Sequence, residues 1–195
     1  MITIAWDVDD ILNDLMYCWL VNKWLPEHPG CKVSFEQITQ NTPERIINST
    51  KEEYQLSLDS FRLSPAYLKM SPEPEVLAWF QRHGDKARHI ALTAVPVKAA
   101  HVSADWVMKN FGKWIRSFHF IPSPRMGEQA IEYDRSKADY LKWLNKVDIL
   151  VEDSEQNMWG AQESGIRGVL VAKPWNKNGL SITDALKEIE QAIGK

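Results

Sequence analysis

Five short apolar runs, at residues 2–6, 89–92, 118–121, 147–151 and 168–172, are spaced along the chain with helix-period segments between them. Within each run the apolar residues are nearly continuous, the pattern of a strand buried on both faces. The helical segments carry their own punctuation. Ser71-Pro72 reads as a cap followed by proline in the first turn, with the helix ending at Gly84. Val102, Trp106, Val107 and Phe111 keep helical spacing up to Gly112, and residues 138–146 place Leu141 and Leu144 on one face. Ser154 opens a helix that stops at Gly165, and Ser181-Ile182-Thr183-Asp184 resembles a capping box ahead of Leu186, Ile189 and Ile193. Strands alternating with helices predict right-handed crossovers, hence an α/β fold with a Rossmann-like parallel sheet flanked by helices. Sites in such sheets lie at the carboxyl ends of the strands.

One stretch breaks the alternation. Residues 13–70 are too many for a simple strand-to-helix connection. Leu15, Trp19, Leu20 and Trp24, then Tyr54, Leu58 and Phe61, fall at helical spacing. The reading is a small helical cap at 14–70 inserted into a core made of 1–13 and 71–195. Residues 122–136 are polar and hold two prolines, the composition of a long loop at or near a site.

The net charge is −3, from 23 basic and 26 acidic residues, which argues against a nucleic-acid polymer as partner and leaves room for a small anionic substrate. No apolar run approaches the ~18–20 residues of a membrane span. The start, Met1-Ile2-Thr3-Ile4-Ala5-Trp6-Asp7, lacks a basic n-region and meets a carboxylate early, which predicts a cytoplasmic protein. Cys18 and Cys31 can pair, but without zinc-ligand spacing they read first as two reduced thiols. Most of the nine tryptophans are expected in the core, with a few free to line a pocket.

The strand ends carry the chemistry. After the first run comes Asp7-Val8-Asp9-Asp10, three carboxylates in four residues, whose repulsion falls if a cation sits among them or one is protonated. After the second comes Thr93-Ala94-Val95-Pro96, a hydroxyl and N–H groups leading into a helix, which suits an anion or simple capping. After the fourth comes Glu152-Asp153-Ser154, and Lys137 begins the helix before that strand, where a cation is disfavoured by the helix dipole. Hard oxygen donors beside an anion site suit Mg²⁺ and phosphate.

Asp7-Val8-Asp9, Thr93, Lys137 and Glu152-Asp153, in this order and at these strand ends, resemble the four motifs of the haloacid dehalogenase (HAD) superfamily of phosphohydrolases. The resemblance spans the core to about Asn176, and an insertion between the first two motifs resembles a C1-type cap. A looser likeness to the 5′(3′)-deoxyribonucleotidase group rests on Thr93-Ala94-Val95-Pro96-Val97-Lys98, Trp106-Val107-Met108-Lys109-Asn110-Phe111-Gly112 and Asp148-Ile149-Leu150-Val151-Glu152-Asp153. The chain departs from the family at Asp10, where Gly or another small residue is usual, at Ile11, where Thr or Val is usual, and at Glu152, where Asp or Gly is commoner. Asp10 adds charge beside the nucleophile and bears on rate and substrate more than on fold.

The resemblance implies that Asp7 attacks a phosphomonoester to form an aspartyl phosphate, and that Asp9 protonates the leaving oxygen and then activates water. It implies Mg²⁺ held by Asp7, the backbone carbonyl of Asp9, and Asp153. Thr93 and the N–H of Ala94 would hold phosphate oxygens, Lys137 would balance charge, and Glu152 would orient Lys137 or a metal-bound water. The substrate is then a small phosphorylated molecule. The looser likeness points to a nucleoside monophosphate, with Trp19, Trp24, Phe35, Tyr54 and Phe61 free to stack on a base or to pack the cap's own small core; a sugar or other metabolite phosphate is the alternative. A catalytically silent binding protein of the same fold is the reading from another class.

Overall fold

Thr, Ile, Ala and Trp make up β1 (Thr3–Trp6), a strand without a charged residue, and it lies at the centre of the sheet. A computed structural model describes residues 1–129, 131 and 133–194. In it β1, β2 (Arg88–Val95), β3 (Ile115–Pro122), β4 (Ile149–Glu152) and β5 (Arg167–Leu170) form one parallel sheet in the order β3-β2-β1-β4-β5. Every residue of β1 and β4 is buried, as continuous apolar runs require. Alternation along the strands sends Ile4, Trp6, Ala91, Ile149 and Val151 to one apolar cluster and Ala5, Ile90, Leu92 and Leu150 to another. The first cluster takes in Val76 and Phe80 of α5 (Pro74–His83), Trp106 of α6 (Val97–Phe111) and Ile189 of α9 (Ile182–Ile193). The second takes in Leu141 of α7 (Lys137–Leu144) and Ala161 of α8 (Glu155–Glu163). Both faces are therefore covered, and the carboxyl ends of β1, β2 and β4 open on one edge.

Two local expectations shift. The helix expected from Ser71-Pro72 begins instead at Pro74. Glu73 takes the cap position, its N–H bonded to the Leu12 carbonyl at 2.9 Å, so the rule of proline in the first turn holds one proline later. β2 runs on through Thr93, Ala94 and Val95, paired with Phe120, Ile121 and Pro122 of β3. Thr93 and Ala94 are thus the last turn of pleat in a strand, not residues of a helix N-terminus, because neighbouring β3 supplies pairing partners that the apolar pattern alone does not reveal.

Between β1 and α5 the described residues hold helices and no strand. α1 (Leu15–Trp19) passes through a π turn (Leu20–Trp24) into α2 (Leu25–Glu27), a 3₁₀ turn follows at Phe35–Gln37, and then come α3 (Lys51–Arg62) and α4 (Pro65–Leu68). Trp19, Trp24, Tyr54 and Phe61 belong to the same apolar cluster as Trp6. Five tryptophans are fully buried, while Trp143 and Trp159 are exposed. Cys18 and Cys31 are free thiols. Residues 122–136 connect β3 to α7, with 130 and 132 outside the described set. No described helix is long and apolar enough to cross a membrane.

His89 ties this core together. Its Nδ1 accepts from Trp6 Nε1 at 3.0 Å, and since indole only donates, the ring proton sits on Nε2, which donates to the Gly84 carbonyl at 2.9 Å. Burial pushes the imidazole down to about 4, so it is neutral at pH 7. Replacing it strands a buried donor and a buried acceptor and opens a cavity. His89→Ala is expected to lower the unfolding free energy by about 3 kcal/mol, read from the urea midpoint. A loss under about 0.5 kcal/mol would contradict this role.

Candidate active site

The loop after β1 is shaped by its own polar side chains. Asp7 continues the pairing, its N–H on the Val151 carbonyl at 3.0 Å. Asp10 is left-handed, φ 65°, a conformation that Asp and Asn enter more readily than other L residues. It uses the side chain that glycine lacks: Oδ1 accepts the Met16 N–H at 2.9 Å in the first turn of α1. Asn13, fully buried, accepts from the N–H groups of Asp10 and Leu15 at 3.3 and 3.0 Å. The tight loop therefore keeps its shape without glycine.

Asp7, Glu152 and Asp153 meet at the ends of β1 and β4, one oxygen from each lying within 4.8 Å of the others. Lys137 reaches in from the first position of α7. Its Nζ lies 2.8 Å from Asp7 Oδ2 and 3.1 and 3.2 Å from the two oxygens of Glu152. A lysine at a helix start is explained by this pairing, which outweighs the adverse dipole. Asn157 of α8 donates to Glu152, fixing it from the other side. Asp153 is held by Trp175 Nε1 on Oδ2 and by Asn176 Nδ2 on its carbonyl, both at 2.7 Å.

Asp7, Lys137, Glu152 and Asp153 are buried, and burial shifts the ionisation of Asp7 and Asp153. It raises Asp7 well above the usual carboxylate range, and Glu152 adds to the effect while Lys137 opposes it. Burial, then Asp7, pushes Asp153 up to about 7. Burial, then Asp153, raises Asp10 as well. Lys137 behaves differently: burial works against its charge, but Asp7 and then Glu152 overcome that and hold it protonated. Lys137, the one buried ammonium among the described residues, thus faces the buried carboxylates of Asp7, Glu152 and Asp153, and buried Asp10 adds a fourth negative group near Asp153. The cluster is short of positive charge, and its free donors are all oxygens, the set that a hard divalent cation such as Mg²⁺ takes.

A cavity of about 320 Å³ opens over the cluster, and Asp7, Asp9, Thr93, Ala94, Lys137 and Asp153 all line it. Six residues expected from the sequence are therefore brought to one place. Glu152 lies beneath, fully buried, against Lys137. The Asp9 side chain turns away from the cluster to Arg62 Nη2 at 2.9 Å and the Tyr67 hydroxyl at 3.1 Å. Ser123 and Arg125, from the loop after β3, also reach the wall, as that loop's composition predicted.

Of the five aromatic residues considered for stacking, Tyr54 alone lines this cavity. Trp19, Trp24 and Phe61 are packed in the main core, and Phe35 sits edge-on to Tyr17 and Trp175. Sequence reasoning missed Arg62, Tyr67, Asn157 and Trp175. Arg62, Tyr67 and Trp175 meet their partners across 53, 58 and 22 positions of chain, where no local spacing marks them, and Asn157 meets Glu152 five residues away across the turn from β4 into α8.

No protein-family model matches the chain, and no curated protein matches it. Solved structures do share its fold. A haloacid dehalogenase-like hydrolase from Streptococcus pneumoniae superposes with a TM-score of 0.68 at 12% identity, covering 97% of this chain and 98% of that one. The HAD-hydrolase YfnB from Bacillus subtilis, solved bound to magnesium, gives 0.61 at 12% identity over 100% and 99% of the two chains. A HAD family hydrolase from Deinococcus radiodurans R1, with bound phosphate and sodium, gives 0.60 at 10% identity over 98% and 94%. At such identities the likeness carries architecture: the chain has the HAD-like α/β fold.

Proposed function

We propose that the protein is a Mg²⁺-dependent phosphohydrolase acting on a small phosphomonoester through an aspartyl phosphate. The observation that carries this is the convergence of Asp7, Lys137 and Asp153 with Thr93 around one cavity. Asp7, Asp153 and the backbone carbonyl of Asp9 would hold the metal. When bound, Mg²⁺ neutralises the phosphoryl oxygens and lessens their repulsion of an anionic nucleophile.

The chain's own groups then divide the work. Asp7 attacks phosphorus as a carboxylate and needs no base; its ion pair with Lys137 keeps one oxygen oriented. Lys137 also supplies a fixed positive charge for the transferring group, an effect of roughly 10²–10³ in rate for such a donor. Thr93 and Ala94 bind phosphate oxygens from the end of β2. Asp9 gives a proton to the departing oxygen and takes one from the water that cleaves the aspartyl phosphate. Glu152 holds Lys137 in register. Segment 14–70 acts as the cap, and its residues together with α8 select the leaving group.

Asn41, Thr42 and Gln55 from that segment, with Gln156 and Asn157 from α8, give the cavity a hydrogen-bonding wall. This favours a polyhydroxylated leaving group, hence a sugar or similar metabolite phosphate. A nucleoside monophosphate is the second reading, supported by the Tyr54 ring and by amides able to pair with a base edge. The complete set of reacting groups speaks against a silent binding protein.

Two results are expected. Asp7→Asn removes the nucleophile at constant size and should lower kcat at least about 10³-fold while the protein stays folded. Near-wild-type turnover by this variant excludes the covalent route. Across a substrate panel with Mg²⁺, sugar phosphates should exceed nucleoside monophosphates in kcat/KM by about tenfold or more, and EDTA should abolish both activities. A preference for nucleotides would reverse the assignment of the wall.

A further inference from the structure

Asp9 is gripped on both oxygens. Oδ2 accepts from Arg62 Nη2 at 2.9 Å, and Oδ1 accepts from the Tyr67 hydroxyl at 3.1 Å and Asn13 Nδ2 at 3.4 Å. Arg62 ends α3 and Tyr67 lies in α4, so these two donors come from segment 14–70, whereas Asp9 belongs to the loop after β1. Each donor is itself fixed. Arg62 Nη1 lies 3.5 Å from Asp59, and Asp59 is held in turn by two Arg125 N–H groups at 2.8 and 2.7 Å and by Lys98 at 3.3 Å. Tyr67 lies 3.1 Å from the Ser103 hydroxyl of α6. The single phenolic proton is spent on Asp9, so Ser103 donates to the Tyr67 oxygen. Arg62, Tyr67, Asp59 and Ser103 are all buried, so rotation of any one would strand a polar group.

Building on the phosphatase reading, we propose that Arg62 and Tyr67 are positioning residues for Asp9. They hold its carboxylate toward the insertion side of the cavity, where the leaving group would lie. Because both come from the insertion, Asp9 is aligned only while α3 and α4 are seated against the sheet domain. Arg125, Lys98 and Ser103, which lie outside the insertion, lock that seating.

The chemistry sets the test. In the first step Asp9 enters protonated on a lone pair that Arg62, Tyr67 and Asn13 leave open; Asp7 forms a bond to phosphorus, the ester P–O bond breaks, and that proton goes to the departing oxygen. In the second, water gives a proton to Asp9 and its oxygen replaces Asp7 on phosphorus. kcat/KM reports only the first. An alkyl phosphate needs the Asp9 proton there; dinitrophenyl phosphate does not, because its phenolate leaves unaided. The ratio of kcat/KM for the dinitrophenyl ester over the alkyl ester should rise by about tenfold in Tyr67→Phe and about 10²-fold in Arg62→Gln, with Arg62→Lys intermediate. A structural loss would lower both esters together and leave the ratio flat, and a flat ratio in Tyr67→Phe overturns the proposal even if Arg62→Gln does not fold. Failure of the wild-type protein to turn over either ester would overturn the phosphatase reading itself, and the positioning role with it.

Discussion

Lys137 sits 2% exposed with Asp7 at 2.8 Å on one side and Glu152 at 3.1 Å on the other. A buried ammonium is costly unless it is paired and hydrogen-bonded, and here two carboxylates from adjacent strands meet that need. The same contact brings α7 against the ends of β1 and β4. It also leaves the site unbalanced, since Asp153 and Asp10 remain buried without an equivalent partner and are driven toward their neutral forms. Such an imbalance favours a cation and opposes the approach of a phosphate dianion to a carboxylate, which is the physical core of the proposed chemistry.

Around this centre the polar groups fall into two connected sets. Beneath the cavity, Lys137, Glu152 and Asn157 join α7, β4 and α8. Above it, Asp9, Arg62, Asp59 and Arg125 join the loop after β1 to α3 and to the loop after β3. The lower set keeps the Asp7 carboxylate in place, and the upper set keeps α3 against the loops after β1 and β3. Asp10 stands between them. It accepts the left-handed backbone that the turn imposes and caps α1, at the cost of one more carboxylate near Asp153.

The strands and the helices of the sheet domain were legible because both kinds of periodicity report burial, fully at β1 and β4; β3 and β5, at the sheet edges, are partly exposed where their apolar runs predict burial on both faces. β1 and β4 are buried throughout, so their apolar runs end where the site begins, at Asp7 and at Glu152-Asp153. Thr93 shows the limit of that rule: a polar residue inside a strand end looks like the start of a loop, and only its pairing with Phe120 shows otherwise. The aromatic residues of segment 14–70 show another limit. Trp24 and Tyr54 both pack in the core, yet only Tyr54 also lines the cavity, a difference set by tertiary contacts. Arg62 and Tyr67 were invisible for the same reason, since they meet Asp9 across 53 and 58 positions of chain.

The central claim is that the carboxylate cluster takes up a divalent cation, and thermal unfolding with and without Mg²⁺ tests it most directly. The pKa of Asp153 is raised from 3.8 to about 7 on folding, so the folded chain binds more protons than the unfolded one between those values. Stability contributed by this group is complete below about 3.8 and lost as pH rises through about 7. Asp7 and Asp10 shift in the same direction. At pH 8 the metal-free cluster is therefore at its least favourable, and millimolar Mg²⁺ should raise Tm by about 5 °C, against no change with Na⁺ at equal ionic strength. At pH 5, where Asp153 is already protonated, the Mg²⁺ effect should shrink to about 1 °C. The absence of a Mg²⁺ shift at pH 8, or an equal shift in Asp153→Asn, would contradict the account.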